Sequence, residues 1–161
     1  MNCFGYLENE IMDLGIQCER ILSSAYTSGG ASIEMIESAE QELNVRFPVA
    51  YRKFLERYGA AMGVGFEIAG LFESDDGEPP MWLNIVLVTK QTRRALQGWL
   101  LDTLLPISSD GASLTFYIDA NGGDECPVIA YGPGVDGLRV AESFEEFVVK
   151  SSSGEIDPDA V

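Results

Sequence analysis

Apolar residues near the start of the chain recur every three or four positions, at Phe4, Leu7, Ile11, Leu14, Cys18 and Ile21. This spacing places them on one face and predicts a helix from about Leu7 to Leu22. The repeat is short and contains Gly15, so packing on its own domain is favoured over a coiled coil. The small polar residues 28–32 then predict a flexible link.

Two further helices are predicted before residue 60. Ser32 is a suitable N-cap for the first, and Asn44 tolerates the left-handed conformation that ends a helix. Pro48 suits the first turn of the second, which Gly59 would end. Their buried faces would be Ile33, Ile36, Ala39 and Leu43 in the first, and Tyr51, Phe54, Leu55 and Tyr58 in the second.

Beyond Gly63 the pattern changes to that of strands. Strands are predicted at 66–71, 104–108, 114–119 and 127–131, and a turn at 132–137. Asp110-Gly111 predicts a tight hairpin, because this dipeptide tolerates positive φ angles. The apolar run 84–88 is typical of either a strand or the start of a helix, and 89–96 of a helical turn or two.

A last helix is predicted after Ser143, which forms a capping box with Glu146. Helices followed by strands and a closing helix predict an α+β fold, with an antiparallel β-sheet packed against the N-terminal helices. We expect a single core that includes Tyr51, Phe54, Leu55, Leu114, Phe116, Ile118, Phe144 and Phe147. The predicted organisation is an N-terminal helix and linker over residues 1–32, a domain over 33–150 and a polar, disordered tail over 151–161.

The acidic composition limits the kinds of partner that the protein can bind. The 161 residues suffice for one domain, and 26 acidic against 10 basic residues give a net charge of −16. Residues 95–161 hold twelve acids and two bases. Such a field repels nucleic acid and anionic lipid and attracts basic proteins. The alternative interpretation is that the acidity only keeps the protein soluble.

Localisation is predicted to be cytoplasmic. The first residues show neither the basic nor the apolar segment of a secretory signal, and no apolar run is long enough for a membrane span. The three cysteines are widely spaced, which favours reduced thiols over a disulfide framework.

The chemistry that the residues permit is limited. The chain has no histidine, which excludes a Ser-His-Asp triad and removes the commonest zinc ligand. Gly132, Gly134 and Gly137 match G-x-G-x-x-G, but Pro133 lacks an N–H for phosphate and a strand pattern follows, so dinucleotide binding is not predicted. We predict no catalytic residue, metal or cofactor.

Two acidic segments and one tryptophan are the candidate binding residues. Asp119, Asn121, Asp124 and Glu125 resemble a calcium loop, but position six is not glycine and position twelve is Ala130. A second acidic segment contains Asp75, Asp76 and Glu78, which could be paired carboxylates of a hydrolase or simply solvated. Trp82 beside it is either a core residue or an exposed anchor for a partner. The predicted partner-binding set is Asp75, Asp76, Glu78, Trp82, Asp119, Asp124 and Glu125.

Residues 36–59 read I-x-x-A-E-x-x-L-N-V-x-F-P-x-x-Y-x-x-F-L-x-x-Y-G. This run resembles the signature of the SUKH superfamily, which includes yeast cell-wall-synthesis regulators of the Smi/Knr type and many bacterial immunity proteins. Later segments of the chain resemble the family's strands and closing helix, and they occur in the same order. These segments are Glu67–Leu71, Val86–Arg93, Pro106-Ile107, Tyr117–Asp119, Glu125–Val128 and Ala141–Phe147. The resemblance covers about residues 33–150, with Asn44 in place of the usual glycine and Ala60-Ala61 in place of part of a glycine-rich stretch.

The resemblance implies a protein that binds rather than catalyses. Bacterial members are typically encoded beside secreted or contact-delivered toxins, often nucleases, and neutralise them by direct binding in the cytoplasm. It therefore implies a cognate protein toxin as partner. The acidity independently predicts that this partner is basic, with no nucleic acid or membrane, and the oligomeric state stays unknown. The alternatives are a scaffold or regulatory module of the same family and a carboxylate-dependent hydrolase.

Overall fold

The computed structural model of the chain describes the backbone of residues 3–73 and 79–156 and the side chains of residues 13–73 and 79–156. The α-helices are α1 (Cys3–Ser24), α2 (Ile33–Leu43), α3 (Val49–Tyr58), α4 (Ile85–Ala95) and α5 (Phe144–Ser153), with a 3₁₀ turn at Met81–Leu83. The strands are β1 (Tyr26–Thr27), β2 (Ala61–Gly63), β3 (Phe66–Ile68), β4 (Leu104–Ser109), β5 (Thr115–Asp119), β6 (Val128–Gly132) and β7 (Val135–Ala141). The predicted α+β fold is confirmed.

The strands form two antiparallel sheets rather than one. One sheet has the order β1-β2-β3, and the other is a meander in the order β4-β5-β6-β7. The sheets meet where the Ala69 N–H donates to the Ile107 carbonyl at 2.8 Å and the Ser108 hydroxyl donates to the Glu67 carbonyl at 2.6 Å.

The local signals at the helix ends act as predicted. The Ser32 hydroxyl accepts the Met35 N–H at 3.2 Å, and the Ser143 hydroxyl accepts the Glu146 N–H at 3.1 Å. Asn44 adopts the left-handed conformation with φ 55° at the end of α2. These contacts satisfy backbone groups that have no partner inside the helix.

The eight residues expected to form one core all belong to it. The centre is aromatic: the ring centroids of Phe54 and Phe144 lie 5.2 Å apart, and those of Phe116 and Phe147 lie 5.3 Å apart. The buried Tyr51 hydroxyl donates to the Ala69 carbonyl at 2.6 Å, so its polar end has a partner. Ile33 is a correction, because it is the first residue of α2 and its side chain is exposed rather than buried.

The N-terminal segment packs against the rest of the molecule. Cys18 and Leu22 of α1 belong to the common core, and β1 pairs with β2. Residues 28–32, predicted as a flexible link, are bonded to α3 and its C-terminal end: the Ser28 N–H donates to the Ala60 carbonyl at 3.1 Å and the Ala31 N–H to the Leu55 carbonyl at 2.9 Å. The domain boundaries at 32 and 150 stay predictions.

The ambiguous segment after residue 84 is helical. The Asn84 side chain accepts the N–H groups of Val86 and Leu87, at 3.0 and 3.2 Å, and so starts α4. Within the described ranges, no helix is long and apolar enough to cross a bilayer.

Two predicted turns differ in detail. The β4–β5 hairpin is confirmed, but its connection is five residues long, because the Asp110 carboxylate accepts three successive N–H groups, from Ala112 to Leu114. The turn predicted at 132–137 occupies only 133–134. Gly137 instead lies inside β7 with φ 71°.

Candidate partner-binding surface

The predicted binding residues fall into three places. Asp119, Asp124 and Glu125 lie together, at the end of β5 and in the connection to β6. Trp82 lies in the 3₁₀ turn before α4, next to Leu83, whose carbonyl accepts the Gly70 N–H at 2.7 Å. Asp75, Asp76 and Glu78 lie outside the described residues.

Trp82 is a surface residue. Its side chain is 62% exposed, so the interpretation of Trp82 as a core residue is wrong. The exposure agrees with the alternative of an anchor, but contact with a partner stays a prediction.

The segment 119–127, which we call the acidic loop, is fixed between two helices. The Ala50 N–H in the first turn of α3 donates to the Asp124 carbonyl at 2.9 Å. The Phe144 N–H at the start of α5 donates to the Glu125 carbonyl, also at 2.9 Å. First-turn N–H groups lack partners inside their own helix, so the loop carbonyls satisfy them and the helices hold the loop.

Bonds at the start of the acidic loop shape it further. The Asp119 carboxylate accepts the Asn121 N–H at 2.9 Å, and the Asp119 carbonyl accepts the Gly122 N–H at 2.8 Å. The Ala120 N–H donates to the Thr103 carbonyl at 2.9 Å. Asp119 therefore shapes the turn, which leaves Asp124 and Glu125 as the residues whose carboxylates face solvent.

The far end of the acidic loop is anchored in the core. Cys126 is fully buried and has φ 59°, a conformation that costs a residue other than glycine roughly 1–2 kcal/mol. Burial raises the pKa of the Cys126 thiol to about 11, so the thiol is neutral at physiological pH. Strained residues persist only where the surroundings hold them in place, which marks the loop as a well-determined part of the fold.

The acidic loop carries charge that is not neutralised locally. Among the residues that the structure describes, Asp119, Asp124 and Glu125 take part in no ion pair. The two bases of residues 95–161 are engaged elsewhere: Arg139 lies 3.1 Å from a Glu142 oxygen and Lys150 lies 2.6 Å from a Glu146 oxygen. A basic surface would therefore meet unpaired carboxylates at this loop.

The resemblance of residues 119–125 to a calcium loop does not extend to the geometry. Within residues 13–73 and 79–156, no three His, Cys, Asp or Glu side chains converge as they would around a metal ion. The Asp119 carboxylate instead accepts a backbone N–H, as described above. The geometry thus gives Asp119 a role in the turn.

An open cleft of about 610 Å³ borders the acidic loop. Its walls include Glu37, Glu40, Arg46 and Arg52 from the helical side and Asn121 from the loop. Sequence reasoning missed this cleft, because its walls come from separate parts of the chain. The family pattern includes three of its lining residues, Glu40, Asn44 and Val45, but does not indicate that they border a cleft.

Glu40 holds the turn between α2 and α3. One of its carboxylate oxygens accepts the Phe47 N–H at 2.9 Å, and the other accepts Arg52 at 3.1 Å. Arg52 also lies 3.6 Å from Glu56. Glu40 is mostly buried, so these bonds are shielded from water and give the residue a structural role.

We expect Glu40→Ala to lower the free energy of unfolding by about 2 kcal/mol, because it leaves the Phe47 N–H without an acceptor and Arg52 with only its longer contact to Glu56. Glu40→Gln should cost less, since the amide oxygen can still accept the Phe47 N–H. Urea unfolding followed by circular dichroism measures both. Glu37→Ala, on the same cleft, is the control and should change stability by less than about 0.5 kcal/mol. Equal stability of Glu40→Ala and wild type would contradict the structural role.

The fold and this surface define an α+β domain with an acidic loop that is hydrogen-bonded to two helices and no histidine-based catalytic site. The SUKH_5 family model, described as SMI1-KNR4 cell-wall, matches residues 15–152, and the chain belongs to this family. The match starts inside α1, whose Cys18 and Leu22 are part of the common core. Domains of this family are generally non-catalytic immunity or regulatory modules. A search of curated proteins found no match.

Proposed function

We propose that this chain is an immunity protein that binds and neutralises a cognate bacterial toxin in the cytoplasm. The toxin would be secreted or delivered by contact, and a nuclease is the class that the charge fits best. Membership of the SUKH family is the observation that carries the proposal, since bacterial members typically have this role.

Charge supports a basic partner. The chain has a net charge of −16, and nucleases present cationic surfaces to bind phosphate. An acidic protein is attracted to such a surface over a Debye length of about 8 Å at physiological salt. Opposite fields also speed association, so that a toxin could be captured before it acts.

The acidic loop supports the same proposal by its backbone hydrogen bonds. Its backbone is bonded to the first turns of α3 and α5, as described above, while the carboxylates of Asp124 and Glu125 face solvent. Binding costs less when the contacting groups are already ordered. Such a loop suits a partner that must be held tightly.

Expression with the product of the adjacent gene tests the function directly. If that product is the toxin, cells that express it alone should stop growing, and cells that also express this chain should grow. The two purified proteins should also form a complex in size-exclusion chromatography. A toxic product that neither binds this chain nor is relieved by it would overturn the proposed pairing.

Asp124→Lys should slow association with the toxin and weaken its dependence on salt, because an unpaired carboxylate is replaced by a cation. We expect an association rate about 10-fold lower at low salt, with a smaller change in dissociation. Surface-immobilised kinetics at two salt concentrations provides the measurement.

Asp136→Lys is the matched control, since it makes the same charge change at another exposed site. Asp136 follows the β6–β7 turn, at the end of the sheet opposite the acidic loop. The ends of the five-residue strand β5 lie roughly 15 Å apart, which exceeds the Debye length at physiological salt. Equal slowing by the two variants would show that only net charge matters and that the acidic loop does not face the toxin.

A regulatory module is the second candidate. The matching family model carries a cell-wall description, which favours a scaffold or regulator. Deletion of the gene distinguishes the two. A regulator predicts a growth or wall phenotype without any toxin, whereas an immunity protein predicts sensitivity only when the toxin is present.

A further inference from the structure

The segment between α4 and β4 exposes large apolar side chains. Trp99 is 87% exposed and Leu101 is 69% exposed, and Leu96 is partly exposed beside them. Tryptophan is usually well buried, because its ring carries a large apolar area. We call residues 96–102 the tryptophan segment.

The backbone of the tryptophan segment is held in place. The Trp99 N–H donates to the Leu96 carbonyl at 2.8 Å, and Gly98 between them has φ 75°. The Leu104 N–H donates to the Leu101 carbonyl at 3.1 Å, and the Arg93 guanidinium donates to the Asp102 carbonyl at 2.6 Å. The exposed side chains therefore project from an ordered turn.

The tryptophan segment adjoins the acidic loop. It leads through Thr103, whose carbonyl accepts the Ala120 N–H, into β4, where Leu104 pairs with Asp119. A hydrogen-bonded turn keeps the Cα atoms of residues 101 and 104 within about 7 Å, and paired strand residues lie roughly 5 Å apart. Leu101 thus lies within roughly 12 Å of Asp119, at the same end of the sheet.

We infer that Trp99 and Leu101 form the apolar centre of the toxin-binding surface and that the acidic loop forms its charged rim. The inference rests on the proposed function. Binding energy is concentrated in aromatic anchors surrounded by polar groups, and this arrangement has that form. The occupant is a basic protein with an apolar pocket that accepts an indole ring.

Charge favours a toxin over a second copy of this chain as the molecule that occupies this surface. Asp102 and Asp119 flank the apolar residues and take part in no ion pair within the described residues. Two copies, each with a charge of −16, would repel one another, whereas a basic partner would be attracted. Arg93 and Arg94 are the neighbouring cations. Arg93 is bonded to the Asp102 carbonyl, whereas Arg94 is exposed at the end of α4, so Arg94→Glu should quicken association with a basic toxin while Asp102→Lys should slow it.

Fluorine NMR tests the location of the contact. The chain contains two tryptophans, so incorporation of 5-fluorotryptophan gives two signals, which the variants Trp82→Phe and Trp99→Phe assign. The probe is the unlabelled product of the adjacent gene. We expect the Trp99 signal to shift on binding, and the Trp82 signal tests separately whether the 3₁₀ turn before α4 also contacts the toxin.

Affinity provides the second measurement. Trp99→Ala should raise Kd at least about 30-fold, mainly through faster dissociation. Val64→Ala, which truncates an exposed apolar side chain in the turn between β2 and β3, is the control and should leave Kd within about 3-fold of wild type. Circular dichroism and the unfolding midpoint should be unchanged in both variants, because neither side chain is part of the core.

The outcomes separate this inference from the proposed function. Tight binding with an unmoved Trp99 signal and an unaffected Kd in Trp99→Ala would overturn the inference and leave the immunity function standing. A wild-type chain that neither binds nor protects would overturn both. A Trp99 signal that moves with protein concentration alone would show that a second copy covers the surface, which also overturns the inference.

Discussion

Replacing Phe54 with alanine should lower the free energy of unfolding by about 3–5 kcal/mol. Phe54 is buried at the centre of the molecule, where its ring lies 5.2 Å from that of Phe144 and 5.9 Å from that of Tyr51, centroid to centroid. Truncation would remove contacts with α5 and within α3 together. Since domains of this size are stabilised by about 5–15 kcal/mol, the loss should be visible as a large drop in the urea midpoint.

The control for Phe54→Ala is Val64→Ala. Val64 lies in the turn between β2 and β3 and is 94% exposed, so its truncation should change stability by less than about 0.5 kcal/mol. If the two variants unfold at the same midpoint, Phe54 is not a core residue.

Gly70→Ala should cost about 3 kcal/mol or more, because no space exists for a methyl group there. A Cβ at residue 70 would lie 1.6 Å from the Gly59 carbonyl oxygen, which is backbone and cannot rotate away. Gly70 also joins distant elements: its N–H donates to the Leu83 carbonyl at 2.7 Å and its carbonyl accepts the Ile85 N–H at 2.9 Å. A shift to relieve the clash would disturb the start of α4.

Gly15→Ala is the matched glycine control. Gly15 lies inside α1, and an added Cβ would come no closer than 3.7 Å to the Glu145 carboxylate. Alanine is favoured over glycine in a helix by about 1 kcal/mol, so this variant should be slightly more stable than wild type. Thermal unfolding of both variants provides the test, and a Gly70→Ala protein as stable as Gly15→Ala would show that the backbone contact at Gly59 is not a constraint.

Local signals account for the parts of the fold that were predicted. The capping of helix ends by Ser32, Asn44 and Ser143 involves only residues a few positions away along the chain. It can therefore be predicted from the neighbouring sequence. The core residues of α3, β5 and α5 were found for a similar reason, because burial follows the period of each element. The two-residue strand β1 is too short to show a period, and it forms by pairing with β2.

The binding surface could be predicted only in part. Asp119, Asp124 and Glu125 are close in sequence, so their grouping into one loop was visible. Whether Trp82 and Trp99 are exposed depends on which elements pack over them, and the local sequence pattern does not predict this packing. The proximity of Leu101 to the acidic loop arises from the pairing of Leu104 with Asp119, a long-range contact between strands.

In the acidic loop, the backbone atoms of Asp124 and Glu125 stabilise the fold, and their side chains do not take part in those bonds. Main-chain carbonyls of Asp124 and Glu125 bind the first turns of α3 and α5, whereas the two residues are otherwise exposed to solvent. Every amino acid supplies a carbonyl, so the side chains at 124 and 125 are free to vary without removing these two bonds. Substitutions at these two positions should therefore change the charge of the loop while its architecture persists, and a library diversified at both should retain a folded scaffold.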